Sequence, residues 1–179
     1  ADKFKGHVDI VGDGYPILCL SGFGSSNWVF NRLADQLGGF YSCILPDNRG
    51  MGKSPPAQSP YRLDDLALDA LNLMDGLGHE RFAVIGLSMG GFIAQLLTLM
   101  APERVSALAL LCSTSGGEAF KEIFPSMSEE QVRAIYSMES MARIEAALSP
   151  AICPLLKNRY PDVYRYVVDL RCKEQEDPI

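Results

Sequence analysis

Short, unbroken apolar runs alternate with amphipathic stretches through residue 117, and this alternation restricts the fold more than any other feature. The runs are Pro16–Leu20 (PILCL), Tyr41–Leu45, Arg81–Leu87 (RFAVIGL) and Val105–Cys112 (VSALALLC). Each is too short for a helix that buries one stripe, and apolar residues on successive positions suit a strand covered on both faces. The stretches between them repeat at helical spacing. Asn27–Leu37 carries Trp28, Val29, Leu33, Ala34 and Leu37, and ends at Gly38-Gly39. Leu63–Leu77 has Asp64 and Asp65 at its start, where negative charge suits the helix dipole. Met89–Met100 is closed by Pro102. Lys5–Val11 alternates enough to add a strand before the turn at Gly12-Asp13-Gly14. Strands alternating with helices imply an α/β fold, a mostly parallel sheet with helices on both faces.

Beyond Glu118 the pattern changes. Ser128-Glu129-Glu130-Gln131 reads as a capping box opening a helix, and residues 128–147 are rich in helix formers. Pro150, Pro154 and Pro161 then punctuate short helices to about Lys173, and no strand-like run follows Cys112. The organisation expected is therefore an α/β part, 1–117, and a helical part, 118–179. Met127, Ile135, Tyr136, Met138, Met141 and Leu148 would give the helical part an apolar face, either over a pocket or buried within a helix pair.

Charge excludes some partners. Residues 1–117 hold 8 basic and 11 acidic side chains, and residues 118–179 hold 8 and 11 again, so neither part is basic. That argues against nucleic acid and anionic membrane. No apolar run approaches a membrane span, and Ala1-Asp2-Lys3-Phe4-Lys5 does not read as a signal peptide. The cysteines, Cys19, Cys43, Cys112, Cys153 and Cys172, are odd in number and show no CxxC spacing. Three of them sit in apolar runs, the usage of a reducing compartment, and a cytoplasmic location is expected.

Gly86-Leu87-Ser88-Met89-Gly90-Gly91 lies between an expected strand and an expected helix. This is G-x-S-x-G in the context that gives it meaning. A tight strand-to-helix turn strains the serine backbone, and small residues two before and two after keep the turn free of clashes. The turn lifts the Ser88 hydroxyl above the sheet edge at a helix N-terminus, where developing negative charge is favoured. Ser88 is thus the candidate nucleophile. Ser21-Gly22-Phe23-Gly24 follows the first buried strand, and the Phe23 and Met89 N–H groups would hold an oxyanion. Gly22, Gly24 and Leu87 flank the same spot and are expected against substrate. Asp47-Asn48-Arg49-Gly50-Met51-Gly52-Lys53-Ser54 departs from the phosphate-loop spacing. It reads instead as a buried turn, with Asp47 and Arg49 paired or hydrogen-bonded beneath the site.

LSGFGSS, PDNRGMGKS and VIGLSMGGFIAQLLTLMAPERVSALALL, in that order, resemble the α/β-hydrolase fold superfamily, nearest to small esterases, enol-lactone hydrolases and C–C bond hydrolases. The resemblance covers residues 5–117 well and residues 118–179 loosely, as a helical cap. Relatives commonly carry His where this chain has Ser21, which changes the support of the oxyanion loop and not its backbone donors. The resemblance implies a serine hydrolase acting on a carboxylic ester, lactone or related small acyl substrate, without metal or organic cofactor. No metal-spaced His/Cys cluster appears in the sequence.

The same resemblance implies an acid and then a histidine after Ser88, and the only histidines are His7 and His79. His79 lies at the far end of the Ser88 strand, about 20 Å away at roughly 3.3 Å per residue. Cys112, Ser113 and Thr114 occupy the positions after the last strand, with Glu118 beyond. The chain thus reads as the N-terminal portion of a hydrolase, truncated before the strands that carry acid and base and inactive alone. Its last strand would pair with a second chain, a C-terminal fragment or another copy of itself. Two other functions share these motifs: a binding module without catalysis, and acyltransferase or haloperoxidase-type chemistry.

Overall fold

The computed structural model describes residues 4–117, 128–138 and 154–176, and the chain divides into two compact units, Ala1–Gly116 and Gly117–Ile179. The first unit contains β1 (Val8–Val11), β2 (Tyr15–Leu20), a 3-10 turn (Asn27–Phe30), α1 (Asn31–Leu37), β3 (Tyr41–Pro46), α2 (Leu63–Gly76), β4 (Phe82–Leu87), α3 (Met89–Met100) and β5 (Val105–Leu111). The five strands form one sheet in the order β1-β3-β2-β4-β5. β1 pairs antiparallel with β3, and every other pairing is parallel. The short Gly12–Gly14 link reverses the chain between β1 and β2, so β1 runs against β2 and therefore against β3, which lies between them and is parallel to β2.

The strand pleat divides the core in two. On β2, Leu18 and Leu20 face one side, and Ile17 and Cys19 the other. On β3, Ile44 joins the first set, and Cys43 and Leu45 the second. Against the first face pack Leu66, Ala67, Ala70, Leu73 and Met74 of α2 and Ile93, Ala94 and Leu97 of α3. Against the second pack Phe30 and Ala34, from the turn and α1. β2 and β3 are buried from their second residue onward, as unbroken apolar runs require. β4 alternates, with Phe82, Val84 and Gly86 buried and Ala83, Ile85 and Leu87 half-buried.

β5 differs. Its sequence is as apolar as that of β2, yet Ser106–Leu111 are all exposed, and it lies at the sheet edge. In the second unit, α4 (Glu129–Tyr136) opens with the expected capping box: Ser128 N–H donates to Gln131 Oε1 (2.8 Å) and Gln131 N–H to Ser128 Oγ (3.2 Å). α5 (Pro154–Arg159) and α6 (Pro161–Glu176) follow, each starting at a proline, where the missing N–H costs no helix bond. The expected continuation of α4 to residue 147, the carboxylate Glu118, and Met127, Met141 and Leu148 of the expected apolar face lie outside the described residues. Among the described residues no helix is long and apolar enough to cross a membrane.

Burial of Cys19 pushes its thiol up to about 12, with neighbouring Cys43 adding to the effect, and burial raises Cys43 as well. An unfolded Cys19 ionises near 9.0, so the folded chain keeps a proton that the unfolded chain releases. Its contribution to stability is complete below that value and drains away as pH climbs toward about 12. Urea titrations should show the stability gap between wild type and Cys19→Ala shrinking across that window. Iodoacetamide should modify exposed Cys112 in the native protein, and Cys19 and Cys43 only once urea unfolds it.

Candidate active site

Ser88 joins β4 to α3 and is exposed, with φ 53 and ψ −116. Those dihedrals match the first central position of a mirror-image type II turn, which glycine dominates. Among the described residues, Ser88 and Cys112 are the non-glycine residues with positive φ. Such a conformation costs on the order of 1–3 kcal/mol and persists only where the surroundings enforce it. The surroundings here are backbone. A side-chain carbon at Gly86 would run into the Gly90 carbonyl and lie 2.6 Å from Gly91 Cα. One at Gly90 would strike the Leu20 carbonyl and lie 2.8 Å from that of Ser21. α3 therefore starts directly against the ends of β2 and β4, and the serine is lifted clear of the sheet. Ser88 N–H donates to the Leu111 carbonyl at 2.9 Å, and the Ser88 carbonyl accepts from Gly91 N–H at 2.9 Å and from Ser113 Oγ at 3.0 Å.

The loop after β2 reaches the same spot. A Cβ placed on Gly22 would lie 3.3 Å from Ser88 Cβ and 3.8 Å from Ser88 Oγ. Phe23 comes next, its side chain 66 % exposed, and Gly24 turns the loop with φ 64. Leu87 and Met89, on either side of Ser88, are half-buried. Met89 is the first residue of α3, so its N–H belongs to the helix end that has no acceptor one turn back. Ser21 is fully buried, and its hydroxyl donates to the Ser25 carbonyl at 3.2 Å. Ser25 N–H returns to the Gly22 carbonyl at 3.3 Å, so the loop is laced across its own base.

Two residues beyond β3 anchor that loop. Asn48 Nδ2 donates to the Ser21 carbonyl at 3.3 Å. Asp47, 1 % exposed, accepts from Asn27 N–H at 2.7 Å and from Lys53 N–H at 2.9 Å. Of the two arrangements expected, Asp47 is hydrogen-bonded in a buried turn and is not paired with Arg49. With its oxygens engaged by backbone N–H groups, Asp47 leaves Arg49 to Asp69 on α2, in a two-pronged contact at 2.6 and 2.7 Å. The Arg49 guanidinium also lies 5.7 Å from the centre of the Tyr61 ring. Ser54 donates to the Asp47 carbonyl at 2.7 Å and accepts from His7 N–H at 2.9 Å, a structural part.

Both histidines are far from Ser88. His7 precedes β1, three strands across the sheet from β4 and about 14 Å away at roughly 4.8 Å per strand. Its Nε2 lies 3.2 Å from Asp9 Oδ2. Burial raises the Asp9 carboxyl, but the hydrogen bond from Asn27 and the nearby His7 imidazole outweigh it and hold the group below its usual value. His79 precedes β4, at the opposite end from Ser88, with its carbonyl accepting from Arg104 Nη2 at 2.8 Å. Neither ring reaches the serine hydroxyl.

A family model described as alpha/beta hydrolase fold matches residues 15–147. The chain belongs to the α/β-hydrolase fold family. It is 31% identical over 147 residues to a 2-hydroxy-6-oxononadienedioate/2-hydroxy-6-oxononatrienedioate hydrolase of Pseudomonas sp., covering 79% of this chain and 52% of that protein. It is 36% identical over 110 residues to the dihydrolipoyllysine-residue acetyltransferase component of the acetoin cleaving system of Cupriavidus necator, covering 60% of this chain and 29% of that protein. The enol-lactonase of Burkholderia xenovorans LB400 superposes with a TM-score of 0.77 at 23% identity, over 93% of this chain and 64% of that one. The chain thus spans about half the length of the first of these relatives, and less of the second.

The strain at Ser88 is measurable. Ser88→Gly should stabilise the first unit by about 1 kcal/mol, relief of strain outweighing the added freedom of the unfolded chain. Gly90→Ala should destabilise it by about 1–3 kcal/mol, because the new carbon meets strand backbone. Urea unfolding of the two variants, followed by circular dichroism, checks both signs.

Proposed function

We propose that this chain supplies the nucleophile half of a serine hydrolase acting on a carboxylic ester, lactone or related small acyl compound. The strained, exposed Ser88, with the Gly22 loop against it, carries this reading. Ser88 Oγ attacks the acyl carbonyl and gives its proton to a base. The carbonyl oxygen becomes an oxyanion between the Phe23 and Met89 N–H groups. Collapse breaks the bond to the leaving alcohol, which takes the proton from the base, and water then resolves the acyl-enzyme. Gly22, Gly24 and Leu87 contact the substrate.

The base and its orienting acid come from polypeptide outside these 179 residues, since both histidines lie away from Ser88. The exposed edge of β5, with Leu108, Leu110 and Leu111 uncovered, is where that polypeptide joins the sheet. Hydrolysis and acyl transfer run through the same acyl-enzyme and differ only in whether water or another acceptor resolves it.

The test is labelling with a fluorophosphonate probe, followed by intact and native mass spectrometry. One adduct on Ser88, confined to complexes holding a second polypeptide, is expected. In those complexes Ser88→Ala should abolish labelling and lower turnover of p-nitrophenyl acetate by about a thousandfold or more. A rapid adduct on the lone chain would overturn the external base. A complex that binds acyl compounds yet neither labels nor turns over would identify a binding module instead.

A further inference from the structure

The segment after β5 folds back on the elbow. Cys112, with φ 49, reverses the chain between two contacts to Ser88. On one side of it, the Leu111 carbonyl accepts from Ser88 N–H at 2.9 Å. On the other, the Ser113 hydroxyl donates to the Ser88 carbonyl at 3.0 Å. The first contact restrains rotation about N–Cα of Ser88, and the second restrains rotation about Cα–C. The Ser113 side chain is itself confined, because a Cβ on Gly91 would overlap its Oγ and Cβ. Gln95 fixes the next residue by donating from Nε2 to the Thr114 carbonyl at 2.9 Å and to the Gly91 carbonyl at 3.1 Å.

The Ser88 carbonyl and the Met89 N–H belong to one planar trans peptide, so they point in opposite directions. Whatever holds the carbonyl aims the N–H. We propose that Ser113 is a positioning residue that aims the Met89 N–H: by holding the Ser88 carbonyl, its hydroxyl turns that N–H toward the place where the oxyanion forms. A hydrogen bond to the carbonyl also polarises the peptide and makes its N–H a better donor. Gly91 N–H bonds the same carbonyl at 2.9 Å, but it moves with α3, whereas Ser113 ties the peptide to the sheet. This role rests on the reading of Met89 as an oxyanion donor, and it is tested partly without it.

The experiment compares wild type with Ser113→Ala in two ways. Amide hydrogen exchange on the 179-residue chain should quicken about tenfold at Ser88 and Gly91, whose N–H groups are bonded at the elbow, and stay unchanged in β2 and β3. In complexes whose Ser88 reacts with the fluorophosphonate, the maximal labelling rate should fall about tenfold, with the half-saturating probe concentration unchanged. That is less than the hundredfold or more typical of losing an oxyanion donor outright. Unchanged exchange at the elbow overturns the proposal, and so does acceleration spread over the whole sheet. A shift in half-saturation with an unchanged maximal rate also overturns it. If wild-type Ser88 never labels, the serine-hydrolase reading fails and the exchange result alone decides the hold of Ser113 on the peptide. Ser113→Cys, a weaker donor of similar size, should give intermediate values and carries the same test if Ser113→Ala does not fold.

Discussion

The close approach of α3 to the carboxyl ends of β2 and β4 is the constraint on which the site depends. Gly90 lies against the Leu20 and Ser21 carbonyls, and Gly86 against Gly90 and Gly91. With no side chain to separate them, the first turn of the helix sits within backbone contact of two parallel strands. The chain leaving β4 then has a single residue in which to change direction, and Ser88 adopts a conformation usually left to glycine. Its cost is offset by the packing of Ile93, Ala94 and Leu97 against the same core face that receives α2. Strain at one residue is thus sustained by burial along a whole helix.

A second constraint operates from β3. Asp47 is a nearly inaccessible carboxylate whose two oxygens accept backbone N–H groups from different loops, Asn27 after β2 and Lys53 after β3. Burying a carboxylate is tolerable when both oxygens are bonded in this way, and costly when either is not. The result is that the loop after β2 cannot shift without unpairing Asp47. Asn48 adds a bond to Ser21 in the same loop. The loop that sits against Ser88 is therefore held at its start and its end by the two residues that follow β3, and laced internally by the buried Ser21 hydroxyl.

The alternation of apolar runs and helical stripes made the layers legible, because sheet burial and helix amphipathicity have different periods. G-x-S-x-G was legible because it is a fixed local spacing, with Gly86 demanded by the backbone of Gly90 and Gly91 a few residues on. The supports were not. Ser113 meets Ser88 from 25 residues away, and Asn48 meets Ser21 from 27. Nothing in local spacing marks a serine after a strand as one that will bond a strained carbonyl. For Asp47 and Arg49 the buried, hydrogen-bonded turn was legible, and a direct pairing of the two was not, for a related reason. Proximity in sequence suggested a salt bridge, but the backbone N–H groups of two loops claimed the carboxylate, and Arg49 found Asp69 on a helix. Asp69 lies on the α2 turn after the acidic pair that marked the helix start, where its partner could be recognised only in three dimensions.

Under the proposed reading, the parts of catalysis divide along the chain. Everything contributed here to holding negative charge is backbone: the end of a helix, the loop after β2, and the peptide tied to β5. Such donors need no particular side chain, and they stay poised whether or not a base is present. The base must instead be a titratable side chain placed by other elements, on the far side of an edge that β5 leaves open among the described residues. In a serine protease that has lost a triad residue, binding and the oxyanion hole still give about a thousandfold or more over water. The larger share of the rate comes only when the triad is complete. On that reading a chain built like this one holds a strained serine beside aimed amides, and the proton transfer that makes the serine a nucleophile comes with the elements that complete its sheet.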